Sequence, residues 1–201
     1  MKIITGIAFC FLCLCLAGAA PSSPAPAPPP AQEEKPESEK FGALAYLPHG
    51  GRRATANVDL YIKGYTSDEE AKLMAGALLD GGPDVLLKAL EKADDKGRIT
   101  LTGRVGFYEF KLVRSRQTPT GRRIYAVGDR PITFLEVYAG TRSEDYKFGI
   151  LMLDLKRDKK GKEKGEGVLI YAAKVKVLDG NKLDVENFGI NPVRLMAVRK
   201  L

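Results

Sequence analysis

The chain has 201 residues, a formal net charge of +7, one histidine and three cysteines. A chain of this length fits one folded domain with additional terminal segments. The scarcity of histidine and cysteine argues against zinc centres, catalytic triads and thiol chemistry, which need these side chains in combination.

Residues 1–19 have the pattern of a secretory signal peptide. Lys2 precedes a short apolar core, and Ala17 and Ala19 supply the small residues of a cleavage site. The core is shorter than the roughly 20 residues that span a bilayer, and the residues before Cys13 and Cys15 are not the small ones that a lipoprotein signal needs. All three cysteines lie in this core, so the mature chain has none. We therefore predict export to the periplasm or exterior of a bacterium, with no membrane span after cleavage.

Residues 20–40 are rich in proline, alanine and glutamate and contain no apolar run. Proline fixes φ and removes a backbone donor, so we predict a disordered, extended linker with partial polyproline II character. A specific proline-recognition ligand is the alternative. The folded domain is predicted to comprise residues 41–201, a length that can bury a substantial core.

The folded part is predicted to begin with two strands and a helical hairpin. The strands cover residues 41–47 and 54–65, and strict alternation in the second indicates one buried face. His49 lies in the turn between them and is interpreted as an exposed turn residue, with a catalytic base or metal ligand as the alternative. After Ser67, a possible helix cap, the periodicity predicts two short helices broken at Gly81-Gly82-Pro83 and packed against the sheet.

Residues 104–116 and 122–127 are predicted to form an antiparallel hairpin. Our candidate binding residues gather near its tip: Arg114, Arg116, Arg122 and Arg123. Guanidinium groups can hold a phosphate or carboxylate through paired hydrogen bonds. Protection of a sheet edge by charge is the alternative role of these arginines.

Residues 129–201 contain five apolar runs separated by turn residues, which is typical of a strand meander. Predicted strands include 132–137, 150–155 and a last strand in which residues 193, 195 and 197 share one face. The basic run 156–165 lacks aromatic residues, so it predicts a solvated loop and no nucleic-acid partner. The whole pattern predicts an α+β fold, mostly antiparallel β, with about nine strands in a sandwich or partly closed barrel and one inserted helical hairpin.

Several short motifs of the folded domain resemble a group of small secreted bacterial proteins of unknown function. They are Asp129-Arg130-Pro131-Ile132, Asp145-Tyr146-x-Phe148, Gly165-x-Gly167, Val185-Glu186-Asn187-Phe188, Pro192-Val193-Arg194-Leu195 and the pattern of Leu86–Leu90. The resemblance covers most of the domain and stops at the linker. It implies no activity, ligand or catalytic residue.

The sequence contains no P-loop, dinucleotide-binding turn, nucleophile elbow or zinc-protease motif. We therefore predict no catalytic residue, no metal ligand and no cofactor. Four carboxylates in or beside the meander have the chemistry of an acid and base or of calcium ligands: Glu136, Glu144, Asp145 and Asp154. Their spacing matches no calcium loop, and surface ion pairing is the alternative.

Three functions remain open. The first is an exported, non-enzymatic module that binds a small molecule, an envelope component or a protein. A cavity would favour a small ligand, and a filled core with an apolar surface patch would favour a protein. The second is a carboxylate-dependent hydrolase or lyase, which predicts two acidic side chains in one cleft with raised pKa values. The third is electrostatic binding of anionic envelope polymers through the arginine hairpin, although the positive charge also serves solubility.

Overall fold

A computed structural model describes residues 38–49, 52–132, 145–178, 182–188 and 191–201. The chain divides between Lys35 and Pro36, and all described residues belong to the second unit. The predicted signal peptide, most of the linker, and the predicted strand from residue 133 onward lie outside the described residues, and so do Glu136 and Glu144.

The described residues form ten strands and one helical segment, which confirms the predicted mostly antiparallel α+β class. In chain order they are β1 (Glu39–His49), β2 (Arg52–Ile62), α1 (Asp68–Lys92), β3 (Gly97–Leu101), β4 (Tyr108–Phe110), β5 (Leu112–Thr118), β6 (Gly121–Gly128), β7 (Phe148–Arg157), β8 (Glu163–Leu178), β9 (Lys182–Asn187) and β10 (Val193–Lys200).

The strands form a single, nearly closed, barrel-like sheet. Its order is β4-β3-β2-β1-β10-β8-β7-β6-β5, and β9 pairs with β8 beside this path. The two strands at the ends of the path, β4 and β5, are separated in the chain only by Lys111. The Lys111 backbone N–H donates to the carbonyl of Val127 in β6 at 2.9 Å. The continuous segment of β4, Lys111 and β5 therefore brings the two ends of the sheet together.

Apolar side chains line the inside of this sheet. The predicted alternation in β2 is confirmed, because Val58, Leu60 and Ile62 are buried and the residues between them are not. They belong to one buried cluster to which β1, β3, β6, β7, β8 and β10 also contribute. Burying this surface is the main source of stability of the described domain, whose residues include no cysteine.

The helical segment α1 folds back on itself at the predicted break. Gly82 has φ 72° and ψ −169°, which is not helical, and Pro83 follows it. A straight helix of 25 residues would be about 37 Å long, yet Lys96 Nζ lies 2.9 Å from Glu70 Oε1. The predicted helical hairpin is therefore confirmed. Its buried residues pack with Phe148, Ala173 and Val175 in a second cluster against β7 and β8.

No helix within the described ranges is long and apolar enough to cross a membrane.

The first helix begins with a capping box, as predicted from Ser67. The Glu70 backbone N–H donates to Ser67 Oγ at 3.2 Å, and the Ser67 backbone N–H donates to Glu70 Oε2 at 2.8 Å. We expect Ser67→Ala to lower the free energy of unfolding by about 1 kcal/mol, because the Glu70 N–H loses its partner. Urea unfolding checks this, with Ser67→Thr as the control that keeps a hydroxyl. An unchanged midpoint for the alanine variant would contradict the prediction.

The prediction of one continuous strand over residues 104–116 is wrong. Residues 102–107 form an exposed turn in which Gly103 and Gly106 have φ of 75° and 105°. Glycine adopts such angles without steric cost, so the turn is encoded by these two residues. Val105 and Phe107 are therefore exposed, and the strand pattern begins only at β4.

The predicted alternation of the last strand is also wrong beyond Leu195. Ala197 has φ 51°, and the register of β10 against β8 shifts between Leu195 and Val198. A β-bulge adds one residue to the strand and reverses the faces of the residues that follow. Val198 is consequently buried and Ala197 exposed, the opposite of the expectation.

Two predicted segment boundaries shift as well, and both shifts place a glutamate in a strand. β1 begins at Glu39, inside the predicted linker, and β8 begins at Glu163, inside the predicted loop 156–165. Both glutamates are buried.

Candidate functional site

The four candidate arginines do not share one surface. β5 and β6 pair antiparallel, with Arg116 opposite Arg123 and Arg114 opposite Tyr125. Side chains alternate between the faces of a strand, so neighbouring Arg122 and Arg123 point to opposite sides of the sheet. Arg122 lies among buried residues on the inner side, and the other three lie on the outer side.

Two outer arginines are engaged by carboxylates of the same chain. Arg114 Nη2 lies 2.5 Å from Asp68 Oδ1, and its Nη1 donates to the Thr66 carbonyl at 2.8 Å. Arg123 binds Asp154 through two hydrogen bonds. Arg116 has no salt-bridge partner among the residues that the structure describes. The prediction that this hairpin binds an external anion stays a prediction.

Arg122 is the centre of a buried ion cluster at one end of the barrel-like sheet. We call Arg122, Glu39, Glu163, Tyr65 and Lys200 the Arg122 cluster. Arg122 donates from Nε to Glu163 Oε1 at 2.9 Å and from Nη2 to Glu163 Oε2 at 2.6 Å. Nη2 also donates to Glu39 Oε1 at 2.7 Å, and Nη1 donates to the Tyr65 hydroxyl at 2.9 Å.

Glu39 accepts three donors in this cluster. Arg122 and Lys200 Nζ each lie 2.7 Å from Oε1, and the Tyr65 hydroxyl donates to Oε2. The side chains of Arg122, Glu39 and Glu163 are only 11%, 8% and 8% exposed. The two carboxylates thus share one buried cation, Arg122, and Glu39 also binds Lys200, whose side chain is 40% exposed. Hydrogen bonds to charged groups are strong where water is largely excluded, as it is around Arg122 and the two glutamates.

The cluster keeps its groups charged. Burial alone would raise the pKa of Glu39, but the hydrogen bonds from Arg122, Lys200 and Tyr65 outweigh it and lower the pKa from 4.5 to about 2. Burial and the hydrogen bond to Glu39 raise the pKa of the Tyr65 hydroxyl above its usual value. Burial disfavours the charged form of Arg122, but its hydrogen bonds to the two glutamates raise its pKa.

The directions of these pKa shifts are those of a structural ion cluster and not those that acid–base catalysis needs. A carboxyl that donates a proton near neutral pH needs a raised pKa, and that of Glu39 is lowered. The hydrolase hypothesis anticipated a convergent acidic pair, and Glu39 and Glu163 do converge on Arg122. Sequence reasoning missed both because it placed them in a linker and a loop. The only sequence signal for Glu39 and Glu163 is that each lies at the start of a strand.

Of the four carboxylates considered from sequence, only Asp145 and Asp154 lie within the described residues. Asp154 binds Arg123, and Asp145 is exposed at the start of a described segment. Within the described ranges, no group of three or more His, Cys, Asp or Glu side chains is arranged to hold a metal ion.

A second candidate surface is the two-stranded ribbon formed by residues 173–178 of β8 and by β9. Its pairs join Val175 to Val185 and Val177 to Leu183 on one face. The other face pairs Lys174 with Glu186 and Lys176 with Asp184. The ribbon therefore has one apolar and one charged face.

The apolar face of the ribbon is only partly covered by α1. Val175 is buried against the helical hairpin, but Leu183 is 53% and Val185 39% exposed. Between the hairpin tip and β8 lies an open groove of about 530 Å³. The residues that line this groove include Leu79, Pro83, Phe148, Lys174 and Val177.

The fold and these surfaces define a barrel-like, mostly antiparallel β domain with an apolar core, a buried ion cluster and a ribbon with one apolar face beside a helical hairpin. Comparison with protein-family models, curated proteins and solved structures finds no match for the chain.

Proposed function

We propose that the protein is an exported, non-enzymatic binding module whose groove and adjoining ribbon face bind a segment of another polypeptide. The observation that carries this proposal is the exposed apolar face of the ribbon. Val177, Leu183 and Val185 remain exposed beside a groove that the hairpin tip bounds. Exposed apolar surface of this kind is typical of protein-interaction sites.

The apolar core inside the sheet and the open groove outside it favour a polypeptide over a small molecule. Small-ligand sites in barrels are usually enclosed cavities that bury most of the ligand. Here the inside of the sheet is occupied by one continuous cluster of buried side chains. The open groove outside it is better suited to a chain segment that lies along a surface.

The charges around the groove indicate which segment fits. Lys147 is paired with Asp84, and Lys176 is paired with Glu186. Lys174 also lines the groove, and Glu186, which lies opposite it in the ladder, already accepts hydrogen bonds from Lys176 and Tyr146. We expect the bound segment to supply apolar side chains to Leu79 and Val177 and an acidic side chain to Lys174.

Selection of random linear peptides on the immobilised protein tests this function. We expect enriched peptides in which an acidic residue lies among apolar ones. Leu79→Asp or Val177→Asp should weaken their binding about tenfold or more, because each buries an unpaired charge against apolar side chains.

Leu73→Asp is the matched control for this experiment. Leu73 belongs to the same helical segment and is exposed, but it is not among the groove residues. Peptides that bind all three variants as well as the parent protein would contradict the proposal, and so would a selection without enrichment.

A further inference from the structure

Three cations lie side by side on the outer face of the barrel-like sheet. Lys156 of β7 is directly opposite Lys164 of β8, and Lys164 is directly opposite Arg199 of β10. We call these three residues the basic row. All three are exposed, and residues opposite each other in antiparallel strands have Cα atoms about 5 Å apart. None of them forms a salt bridge within the described part of the chain.

Neither folding nor protection of a sheet edge explains the basic row. Like charges directly opposite each other destabilise a sheet. Lysines often protect edge strands from unwanted pairing, but β7, β8 and β10 each have a hydrogen-bonded strand on both sides. A feature that lowers stability and protects no edge is typical of a functional surface.

The β7–β8 turn adds further cations beside the basic row. They are Arg157, Lys159, Lys160 and Lys162. Asp158 Oδ1 accepts the backbone N–H groups of Lys160 and Lys162 at 2.9 Å each, which fixes the shape of the turn. Side chains that project from an ordered backbone lose less conformational entropy when they bind a partner.

The acidic residues within and beside the turn do not neutralise these cations. Glu163 is buried and binds Arg122, and Arg157 Nη2 lies 3.7 Å from its Oε1. Asp158 is engaged with the backbone of the turn. Glu166 is exposed on the same face as the basic row, where it is one carboxylate beside three cations. The row and the turn therefore keep an excess of positive charge.

We propose that the basic row and the β7–β8 turn bind a linear, flexible phosphate polymer. Lysine and arginine are the usual donors to phosphate, and successive charges along such a chain can contact successive side chains of the row. The run from Lys156 to Lys164 contains no aromatic or apolar residue. It therefore offers no platform on which bases could stack and no side chain that could insert into a bilayer.

This site goes beyond the proposed function because it lies on another part of the molecule. Lys164 precedes Lys174 of the groove by ten residues in β8, a distance of about 33 Å along a strand. The two proposals can fail separately, since no residue of the basic row or the turn lines the groove.

Titration with a short inorganic polyphosphate, on protein purified after export from a bacterial host, tests the site. We expect the parent protein to bind, with an affinity that falls as salt is added. The variant Lys156→Gln/Lys164→Gln/Arg199→Gln should bind about tenfold or more weakly. Its slope of log affinity against log salt should be smaller by about 2, because three fewer cations displace counterions.

The matched control is Lys72→Gln/Lys88→Gln/Lys92→Gln. It removes the same net charge from exposed positions of α1 and should change the affinity by less than about threefold. Circular dichroism confirms that both variants are folded. A parent protein that does not bind polyphosphate overturns the proposal, and so do equal losses of affinity in the two variants.

The stability of Lys164→Gln provides a second readout. This substitution removes both like-charge contacts of the basic row, so the urea midpoint should rise at low salt. The gain should shrink at high salt, because salt screens exposed charges. Polyphosphate should raise the midpoint of the parent protein more than that of the variant. A midpoint that does not rise would overturn the repulsion on which the proposal rests.

Two competing occupants of the basic row are distinguished by further titrations. The glutamates at positions 33, 34 and 37 precede β1 in the chain. Glu33→Gln/Glu34→Gln/Glu37→Gln should leave the affinity for polyphosphate unchanged, and an increase would assign the row to these glutamates. Phosphatidylglycerol vesicles should bind more weakly than polyphosphate at equal phosphate concentration, and stronger binding would assign the row to a membrane. Either result overturns the proposal.

Discussion

Arg122→Ala is expected to lower the free energy of unfolding by about 3 to 5 kcal/mol, the range observed when one partner of a buried ion pair is removed. Arg122 provides two hydrogen bonds to Glu163 and one to Glu39, and all three side chains are almost completely buried. Without it, two carboxylates would remain in a dry environment with too few donors. Urea unfolding followed by circular dichroism measures the change.

Arg123→Ala is the matched control. Arg123 is the next residue of the same strand and is paired with a single carboxylate, Asp154, and the two side chains are 37% and 42% exposed. Exposed ion pairs contribute about 0 to 1 kcal/mol, so this variant should be nearly as stable as the parent. Equal losses for the two variants would contradict the assignment of Arg122 as the centre of a buried cluster.

The position of the cluster explains why its loss should affect the whole domain. Glu39 begins β1, the first strand, and Lys200 ends β10, the last one, so their 2.7 Å contact joins residues 161 positions apart. Glu163 and Arg122 add β8 and β6 to the same contact set. One group of side chains thus connects both ends of the folded chain at one end of the barrel-like sheet.

Local patterns of the sequence predicted those parts of the fold that depend on local chemistry. The alternation around Leu60 predicted the buried face of β2, and Ser67 with Gly82-Pro83 predicted the capped helical hairpin. These features arise from periodicity and capping within a few residues, which a single sequence displays directly.

Features that depend on distant strands could not be read in this way. The bulge at Ala197 is a property of the β8–β10 register, and the division of one extended run into β4 and β5 depends on which strand each half pairs with. The Arg122 cluster is the strongest case. Its arginine was recognised from the hairpin, but its glutamates are 83 and 41 residues away and become partners only when the sheet closes.

Stability is expected to fall as the pH decreases from about 5 to about 2, with Glu39 alone responsible for about 3 kcal/mol. The sign follows from the direction of its shift. The pKa of Glu39 is about 2 in the folded protein and 4.5 in the absence of its partners, so the unfolded chain takes up the proton first. The stabilisation is therefore complete above the unfolded pKa and is lost as the pH falls through the folded pKa.

Urea unfolding at a series of pH values measures this dependence, and Glu39→Gln isolates its origin. The variant should be less stable at neutral pH, because the amide cannot replace the charge opposite Arg122 and Lys200. Its stability should also decrease less steeply between pH 5 and pH 2, since the titrating group is absent. Glu166→Gln changes an exposed glutamate of the same barrel-like sheet and should keep the pH dependence of the parent protein. If Glu39→Gln retained the full acid dependence, the stability lost in acid would have to come from other carboxylates, and Glu39 would not be held ionised by the cluster.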